Sequence, residues 1–390
     1  MIPAARLQAA IEILDQVITA ARDGGAAADT IIQRYFTTRR YAGSKDRRAV
    51  RDLVFAVIRS LGERPVSGRA AVIGHARAQD PSLLALFGAA GHAPPALVHG
   101  EPAASSGLAP AWLQQMLAER FGPDADRQLA ALLGRAPLDV RVNAMRASRD
   151  AVLADHPDWQ LLAATAHGVR LPSGTNVEDL PEYQAGQIEV QDAGSQLAAA
   201  TLAARPGETV VDLCAGAGGK TLALAADMRG PEDDRGRLIA CDTDRARLSQ
   251  LPPRAARAGA TVETRLLNPG GEAGALADLM GSCDAVLIDA PCSGSGTWRR
   301  NPESRWRLTR ERLVRLAATQ AMLIELATLL LRPGGRIVYI VCSLLPAEGE
   351  SQLADTQLGG TLGLAPWQSR ILTPADDGCD GFFIAQSSRL

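Results

Sequence analysis

Two cysteines follow apolar runs that have the length of buried strands. Cys292 lies in "DAPCSGSG" (289–296), and Cys342 lies in "YIVCSLLPAEGE" (339–350). A thiolate is a strong nucleophile, and a covalent intermediate can divide one difficult reaction step into easier ones. Because each cysteine leaves a strand end for a polar loop, both are candidates for chemistry rather than for packing.

The positions of the histidines and the spacing of the cysteines argue against several mechanisms. All five histidines precede residue 168, so Ser-His or Cys-His catalysis is not expected in the rest of the chain. The six cysteines show no CxxC spacing, which argues against a zinc site and a disulfide framework, and we expect no metal. Cys241 and Cys283 lie within apolar runs and are interpreted as packing residues, an interpretation that also suits Cys214.

A glycine-rich turn, "VVDLCAGAGGKT" (210–221), follows the first predicted strand of the second half. Glycines allow the backbone to approach a ligand closely. The turn is not a phosphate loop, because Cys214 stands where the GxxxxGK[ST] pattern requires its first glycine. The residues of this stretch that we expect to contact a cofactor are Asp212, Cys214, Ala215, Gly216, Ala217, Gly218, Gly219 and Lys220.

Polar side chains also close the next strands. Asp242 ends "RLIACD", where a carboxylate can accept hydrogen bonds from both ribose hydroxyls of a nucleoside cofactor. Asn268 follows the third strand and could bind an adenine, although a loop-capping role suits it equally well. Arg247 and Asp289 are further expected cofactor contacts. The kind of nucleoside cofactor is left open by these residues alone.

The elements that must position these residues form an α/β pattern. After residue 205, five short β-rich runs alternate with helices, which predicts a parallel, doubly wound sheet that binds ligands at the carboxyl ends of its strands. Helical spacing in 1–105 predicts an all-α domain with a linker, and 106–185 reads as a small α+β piece. The catalytic domain is expected to span 186–390.

Composition is typical of a soluble globular protein. A 390-residue chain with 46% hydrophobic residues can bury a large core, and its net charge of −2 gives no overall attraction to nucleic acid. Arginine is concentrated with aromatic residues in 34–51 and 298–315, a pattern typical of an RNA-contact surface or, equally, of solvated helix faces. No apolar run approaches the roughly 18 residues of a membrane span, and the start reads as an amphipathic helix, so we expect a cytoplasmic protein without membrane contact.

The motifs in combination resemble the Nop/Sun family of RNA cytosine-C5 methyltransferases, which use S-adenosylmethionine. The likeness rests on "DLCAGAGGKT", "DAPCSGSG" and "YIVCSLLPAEGE" in this order, and it extends from "GQIEVQDAGSQLAA" to "DGFFIA". The N-terminal helices, with "DRRAVRDLVFAVIR", resemble the NusB-type RNA-binding domain of the bacterial 16S rRNA members, the Sun/Fmu group. Ala217 stands where the family usually has proline, and Trp298 where an aliphatic residue is common.

The resemblance implies a Rossmann-like class I methyltransferase that modifies C5 of a cytidine in RNA, with ribosomal RNA as the expected partner. By the family's motif order, Cys342 adds to C6 of the base and Cys292 assists proton removal or release of the enzyme. Asp289 is expected to bind the N3/N4 edge of an unstacked base, and Lys220 is implied as an active-site contact. A monomer is expected.

Two alternatives stay open: a tRNA substrate, and a non-catalytic RNA-binding protein of ribosome assembly with a vestigial methyltransferase site. A DNA cytosine methyltransferase is disfavoured, because those enzymes take their nucleophile from the proline-cysteine loop and do not need the second cysteine.

Overall fold

The computed structural model of the chain describes residues 1–230, 236–355 and 363–390. Two compact units are present. The first contains Met1–Arg135 and Thr297–Arg310, and the second contains Ala136–Gly296 and Glu311–Leu390. The contiguous domains expected from the sequence did not include this return of 297–310 to the first unit, and the three-domain division stays a prediction.

The first unit is helical, as the apolar spacing predicted. Its α-helices are α1 (Pro3–Asp23), α2 (Ala28–Thr37), α3 (Ser44–Ser60), α4 (Gly68–Ala78), α5 (Ala111–Phe121) and α6 (Ala125–Leu133). Leu7 and Leu14 of α1 and Val54 and Ile58 of α3 are fully buried in one core. Residues three and four positions apart share a helix face, so this spacing places one apolar stripe of each helix against its neighbours.

Residues 297–310 belong to this helical core. The guanidinium of Arg305 is fully buried and donates hydrogen bonds to the carbonyl oxygens of Ile58 (2.7 Å) and Leu61 (2.9 Å). Arg299 is also buried, at 6% exposure. The interpretation of 298–315 as an exposed surface, whether for RNA contact or as a solvated helix face, is therefore wrong for these two arginines, because both side chains are buried.

The second unit begins with a four-stranded antiparallel sheet in the order β2-β3-β1-β4. Its strands are β1 (Leu138–Val142), β2 (Gln160–Leu161), β3 (Gly168–Leu171) and β4 (Ile188–Val190), with short helices α7 (Arg149–Asp155) and α8 (Pro181–Gln184). Val140, Val169 and Ile188 are fully buried on one face of this sheet. The small α+β piece expected around "LDVRVNAM" is thus present.

A seven-stranded sheet follows in the order β10-β11-β9-β8-β5-β6-β7. Its strands are β5 (Thr209–Asp212), β6 (Arg237–Asp242), β7 (Glu263–Leu266), β8 (Cys283–Asp289), β9 (Leu331–Val341), β10 (Gln368–Leu372) and β11 (Phe382–Ser388). The helices of this region are α9 (Ala193–Ala200), α10 (Gly219–Asp227), α11 (Arg245–Leu248), α12 (Leu251–Ala258), α13 (Glu272–Ala275), α14 (Arg310–Leu330) and α15 (Glu350–Asp355). The five predicted strands and the Rossmann-like α/β fold are confirmed.

The five strands predicted to form a parallel sheet, β5 to β9, are parallel, but the sheet also contains an antiparallel strand that the sequence analysis did not predict. β11 pairs antiparallel with both β9 and β10, whereas β5 to β9 pair in parallel. The connection from Leu372 to Phe382 is shorter than the dozen or so residues that a parallel crossover needs, so the chain returns as an antiparallel strand.

Helix α14 is long and apolar enough, by length and composition, to cross a membrane, which the sequence analysis did not expect. Core helices of soluble proteins meet the same criteria, and 44% of its apolar window is buried. Leu323, Ile324 and Leu326 pack in one cluster with Val286 of β8 and Ile337 of β9. We therefore assign α14 to the core that supports the sheet.

Candidate active site

The glycine-rich turn joins β5 to α10 in a conformation that needs glycine. Gly216 and Gly218 have φ angles of 55° and 89°, in the left-handed region that other residues rarely adopt. The amide of Ala215 donates to the carbonyl oxygen of Cys241 (2.8 Å), and the amide of Gly218 donates to that of Ala215 (2.8 Å). These bonds attach the turn to the end of β6.

Asp242 secures the same turn from β6. One carboxylate oxygen accepts a hydrogen bond from the amide of Gly216 (2.7 Å), and the other accepts one from the amide of Asp244 (2.7 Å). The side chain is buried, at 8% exposure. The sequence predicted ribose contacts for this residue and missed its role in the turn. The two roles are compatible, because an ionised carboxylate has about four acceptor positions.

Asp212 ends β5 beneath the turn and is fully buried. One oxygen accepts a hydrogen bond from the hydroxyl of Thr221 (2.6 Å), while the other has no hydrogen-bond partner within the described residues. Burial disfavours the charged form and raises the pKa of Asp212 to about 7. A buried acceptor without a partner is suited to a ligand group that donates a hydrogen bond.

The other expected cofactor contacts surround the turn. The exposed guanidinium of Arg247 lies against Gly216, so that a Cβ atom there would collide with it. Gly219, by contrast, has open space where a Cβ atom would lie, and the carbonyl oxygen of Ala217 accepts a hydrogen bond from Arg254.

Cys214 and Asn268 complete the expected set. Burial raises the pKa of the Cys214 thiol well above its usual value, in agreement with an inert packing residue. Asn268 is exposed just beyond β7, directly after Leu267, whose amide donates to the carbonyl oxygen of Asp242 (2.9 Å). The structure therefore brings every expected cofactor residue to the carboxyl ends of β5, β6, β7 and β8.

Lys220 and Asp289 form an ion pair between α10 and the end of β8. The Lys220 Nζ lies 2.7 Å from an Asp289 carboxylate oxygen and 5.5 Å from the centre of the Phe382 ring. Burial acts to lower the pKa of Lys220, but the charge and hydrogen bond of Asp289 outweigh it and hold that pKa above its usual value. The Asp289 side chain keeps 32% exposure, so a ligand can reach it.

Cys292 and Cys342 lie side by side, with their sulfur atoms 3.4 Å apart. They come together because β8 and β9 are parallel neighbours, whose carboxyl ends meet at one edge of the sheet. The hydrogen bond to Cys342, burial, and the charge of Cys342 raise the pKa of Cys292 well above its usual value. Lys220 interacts electrostatically with Cys342, so the pair lies beside a positive charge.

A buried acid beneath the cysteines was not predicted. Glu348 lies in the quoted stretch "YIVCSLLPAEGE", has no exposed surface, and accepts hydrogen bonds from Ser293 and Ser343. An acidic residue between apolar and glycine residues close to a reactive cysteine was the available signal. Within the residues that the structure describes, no group of three or more His, Cys, Asp or Glu side chains could hold a metal ion.

Family models match most of the second unit. A model described as "16S rRNA methyltransferase RsmB/F" matches residues 199–387, and one described as the ferredoxin-like domain of RsmF/B-like methyltransferases matches residues 109–178. A relative from Xanthomonas campestris named "Ribosomal RNA small subunit methyltransferase B" is 35% identical over 291 residues. The chain belongs to the RsmB/F family. This confirms the resemblance to the Sun/Fmu (RsmB) group.

Relatives and solved structures differ in how much of each chain they share. The match to the Xanthomonas relative covers 71% of this chain and 65% of the relative, so the chain spans less than two thirds of that relative's length. The crystal structure of PH0851 superposes with a TM-score of 0.76 over 100% of this chain and 99% of that one, at 20% identity, which shows the fold alone. A methyltransferase homologue from Pyrococcus horikoshii covers 71% of this chain and 99% of its own, with a TM-score of 0.59 and 25% identity.

The RsmB/F match contains the whole candidate site. Residues 199–387 include the glycine-rich turn, Asp242, the Lys220–Asp289 pair, both cysteines and Glu348. The family assignment and the geometry therefore refer to the same edge of the sheet.

Proposed function

We propose that this protein transfers a methyl group from S-adenosylmethionine to C5 of a cytidine in RNA, with ribosomal RNA as the substrate. The observation that carries the proposal is the 3.4 Å contact between Cys292 and Cys342 beside the Lys220–Asp289 ion pair. Membership of the RsmB/F family supports the methyltransferase class and the ribosomal RNA substrate. We further propose a cytoplasmic monomer.

The glycine-rich turn fits S-adenosylmethionine. The unpartnered oxygen of Asp212 can accept a hydrogen bond from its amino group, and Asp242 can accept from its ribose hydroxyls. Open space at Gly219 leaves the backbone accessible. Bound there, the cofactor supplies an electrophilic methyl group. Arg247 and Asn268 complete the proposed contacts at the rim.

Asp289 and Lys220 would hold the base. The carboxylate of Asp289 accepts a hydrogen bond from the exocyclic amine of cytosine, which distinguishes it from uracil, whose carbonyl cannot donate. Lys220 fixes the orientation of that carboxylate through the 2.7 Å ion pair. The base must leave its stack to reach this edge, so the substrate is single-stranded or flipped out.

Cys342 would act as the nucleophile. Its Sγ forms a bond to C6, and the electrons of the C5–C6 double bond move to C5, which becomes nucleophilic. After methylation, the C5 proton passes to the thiolate of Cys292, the C5–C6 double bond re-forms, and the Sγ–C6 bond breaks to return the thiolate of Cys342. Lys220 interacts electrostatically with Cys342, and the raised pKa of Cys292 keeps the second thiol protonated before attack.

Cys292 would act after methyl transfer. The hydrogen bond and charge of Cys342 raise its pKa, and both disappear once the Cys342 sulfur is bonded to carbon. Cys292 therefore becomes more acidic once the adduct has formed, so it can release its own proton to solvent and then accept the C5 proton as a thiolate. Loss of Cys292 should leave attack and methylation intact but block release.

The test combines product analysis with detection of a protein–RNA adduct. The protein is incubated with tritiated S-adenosylmethionine and either 16S rRNA or tRNA, and the nucleosides are analysed for 5-methylcytidine. On denaturing gels, Cys342→Ala should be inactive without an adduct, and Cys292→Ala should accumulate adduct. The double variant, Cys292→Ala with Cys342→Ala, is the control.

Three results count against the proposal. Adduct in Cys342→Ala but not in Cys292→Ala reverses the two roles. Methylation of tRNA alone refutes the ribosomal RNA substrate. Tight RNA binding with no methylated product from any substrate favours the non-catalytic alternative.

A further inference from the structure

We propose that Glu348 is a positioning residue that holds the two cysteine loops in register, so that Cys292 and Cys342 stay in contact. The catalytic consequence rests on the proposed function, whereas the positioning itself does not. Glu348 lies six residues beyond Cys342 and has no exposed surface. Its carboxylate connects the loop after β8 with the loop after β9.

The carboxylate binds the residue that follows each cysteine. Ser293, next to Cys292, donates its amide to one oxygen (2.8 Å) and its hydroxyl to the other. Ser343, next to Cys342, donates its hydroxyl to that second oxygen (2.6 Å). One buried group therefore fixes both neighbours of the reactive pair, and water does not compete for it.

Glu348 is itself held from two sides. Gln320 of α14 donates its side-chain amide to the first oxygen (3.1 Å) and also to the carbonyl oxygen of Pro291 (2.9 Å). The hydroxyl of Tyr339 on β9 donates to the backbone carbonyl oxygen of Glu348 (2.7 Å). Glu348 is thus held in position relative to α14 and β9, and its hydrogen bonds hold the two cysteine loops relative to the same elements.

A second contact between the loops shows what remains if the carboxylate is changed. The amide of Gly296 donates to the carbonyl oxygen of Cys342 (3.0 Å), and the hydroxyl of Ser295 accepts from the amide of Leu344 (2.8 Å). Neither of these bonds involves Glu348. The loops should therefore stay associated in a Glu348 variant, while the sulfur atoms lose their fixed separation.

The neighbours of the Glu348 side chain are hydrogen-bond donors, which suits a carboxylate. All four groups around the carboxylate donate to it, and the Ser293 backbone amide has no acceptor to offer. Glu348→Gln keeps the volume but replaces the oxygen that both serine hydroxyls bind with an NH₂ group, so the charge-assisted hydrogen bonds from Ser293 and Ser343 are lost and the hydroxyls must turn to accept instead. The substitution is therefore a sharp test with little change in packing.

The experiment measures the cysteine contact without catalysis. Full-length protein is treated with oxidised glutathione, and the Cys292–Cys342 disulfide is quantified over time by alkylation and peptide mass mapping. The two thiols lose two protons and two electrons, and one glutathione disulfide becomes two glutathione thiols. The wild type should cross-link readily, and Glu348→Gln should be slower by about tenfold or more, since exchange requires the sulfur atoms to meet.

Glu350→Gln is the matched control, because it changes an exposed acid two residues away and should leave the rate unaltered. In methylation assays, Glu348→Gln should lower kcat, with KM for RNA and Kd for S-adenosylmethionine unchanged, because its contacts avoid the glycine-rich turn. If Glu348→Gln does not fold, Ser343→Ala removes one of the same bonds and should slow the cross-link severalfold.

An unchanged cross-linking rate in a folded Glu348→Gln or Ser343→Ala variant overturns the proposal. An equal loss of rate in Glu350→Gln also overturns it, because the effect would then be general. If the wild type cross-links as expected but methylates no RNA, the proposed function fails while the role of Glu348 stands.

Discussion

Asp242 offers the clearest quantitative test of the cofactor site. Its two carboxylate oxygens bind the amides of Gly216 and Asp244 at 2.7 Å each, and the group keeps only 8% exposure. Asp242→Ala removes these bonds and the expected ribose contacts. A hydrogen bond to a charged group contributes about 1.5 to 3 kcal/mol, and part of that loss falls on the free protein. We therefore expect binding of S-adenosylmethionine to weaken by about 1 to 3 kcal/mol, or about 5- to 150-fold in Kd.

Isothermal titration calorimetry of the cofactor measures this change, and Asp242→Asn refines it. The asparagine oxygen can still accept a hydrogen bond from one amide, but the NH₂ group would face the other amide. Asp242→Asn should therefore lose less binding free energy for S-adenosylmethionine than Asp242→Ala does. Asp244→Ala is the control, because it removes a cap of α11 from an exposed side chain. A Kd for a folded Asp242→Ala that stays within about twofold of the wild type would refute the reasoning.

Three further predictions test other parts of the chain. Burial raises the pKa of Asp212 from 3.8 to about 7, so the folded state takes up a proton there, and the free energy of unfolding should fall as pH rises from about 4 to 7. This decrease in the free energy of unfolding amounts to at most about 4 kcal/mol, and Asp212→Asn should remove it. Denaturant titrations at several pH values measure the difference. Arg305→Met should lower the free energy of unfolding of the helical unit by about 3 kcal/mol, because carbonyl oxygens that it binds become unpaired; a thermal transition that does not change would contradict this. Replacing the exposed Arg40 and Arg48 with glutamine should reduce the slope of log affinity for single-stranded RNA against log salt by about 0.7 per lost contact, and weaker binding at an unchanged slope would argue against phosphate contacts.

The chemistry of the site could be predicted because it depends on residue types at strand ends. "DAPCSGSG" and "YIVCSLLPAEGE" follow apolar runs, and parallel strands place their carboxyl ends at one edge of a sheet. The same rule placed Asp212 and Asp242 beside the glycine-rich turn. Local pattern was sufficient there, since a strand end and a tight turn are determined by nearby residues.

Burial of charged groups could not be predicted in the same way. Arg305 stands in a polar stretch and Glu348 between apolar and glycine residues, and both are fully buried, because other segments of the chain supply their partners. The antiparallel direction of β11 likewise depends on the length of its connection and on which strands it meets. Such features follow from long-range contacts, which periodicity does not contain.

The sequence by itself determined the α/β class, the strands, the glycine-rich turn and the two candidate thiols, because these follow from local spacing and residue type. Only the tertiary structure decided that the thiols touch at 3.4 Å, that Lys220 pairs with Asp289, and that one buried carboxylate holds both loops. The physical reason is that these contacts require the sheet edge to be assembled from segments that lie 50, 55 and 69 residues apart in the chain.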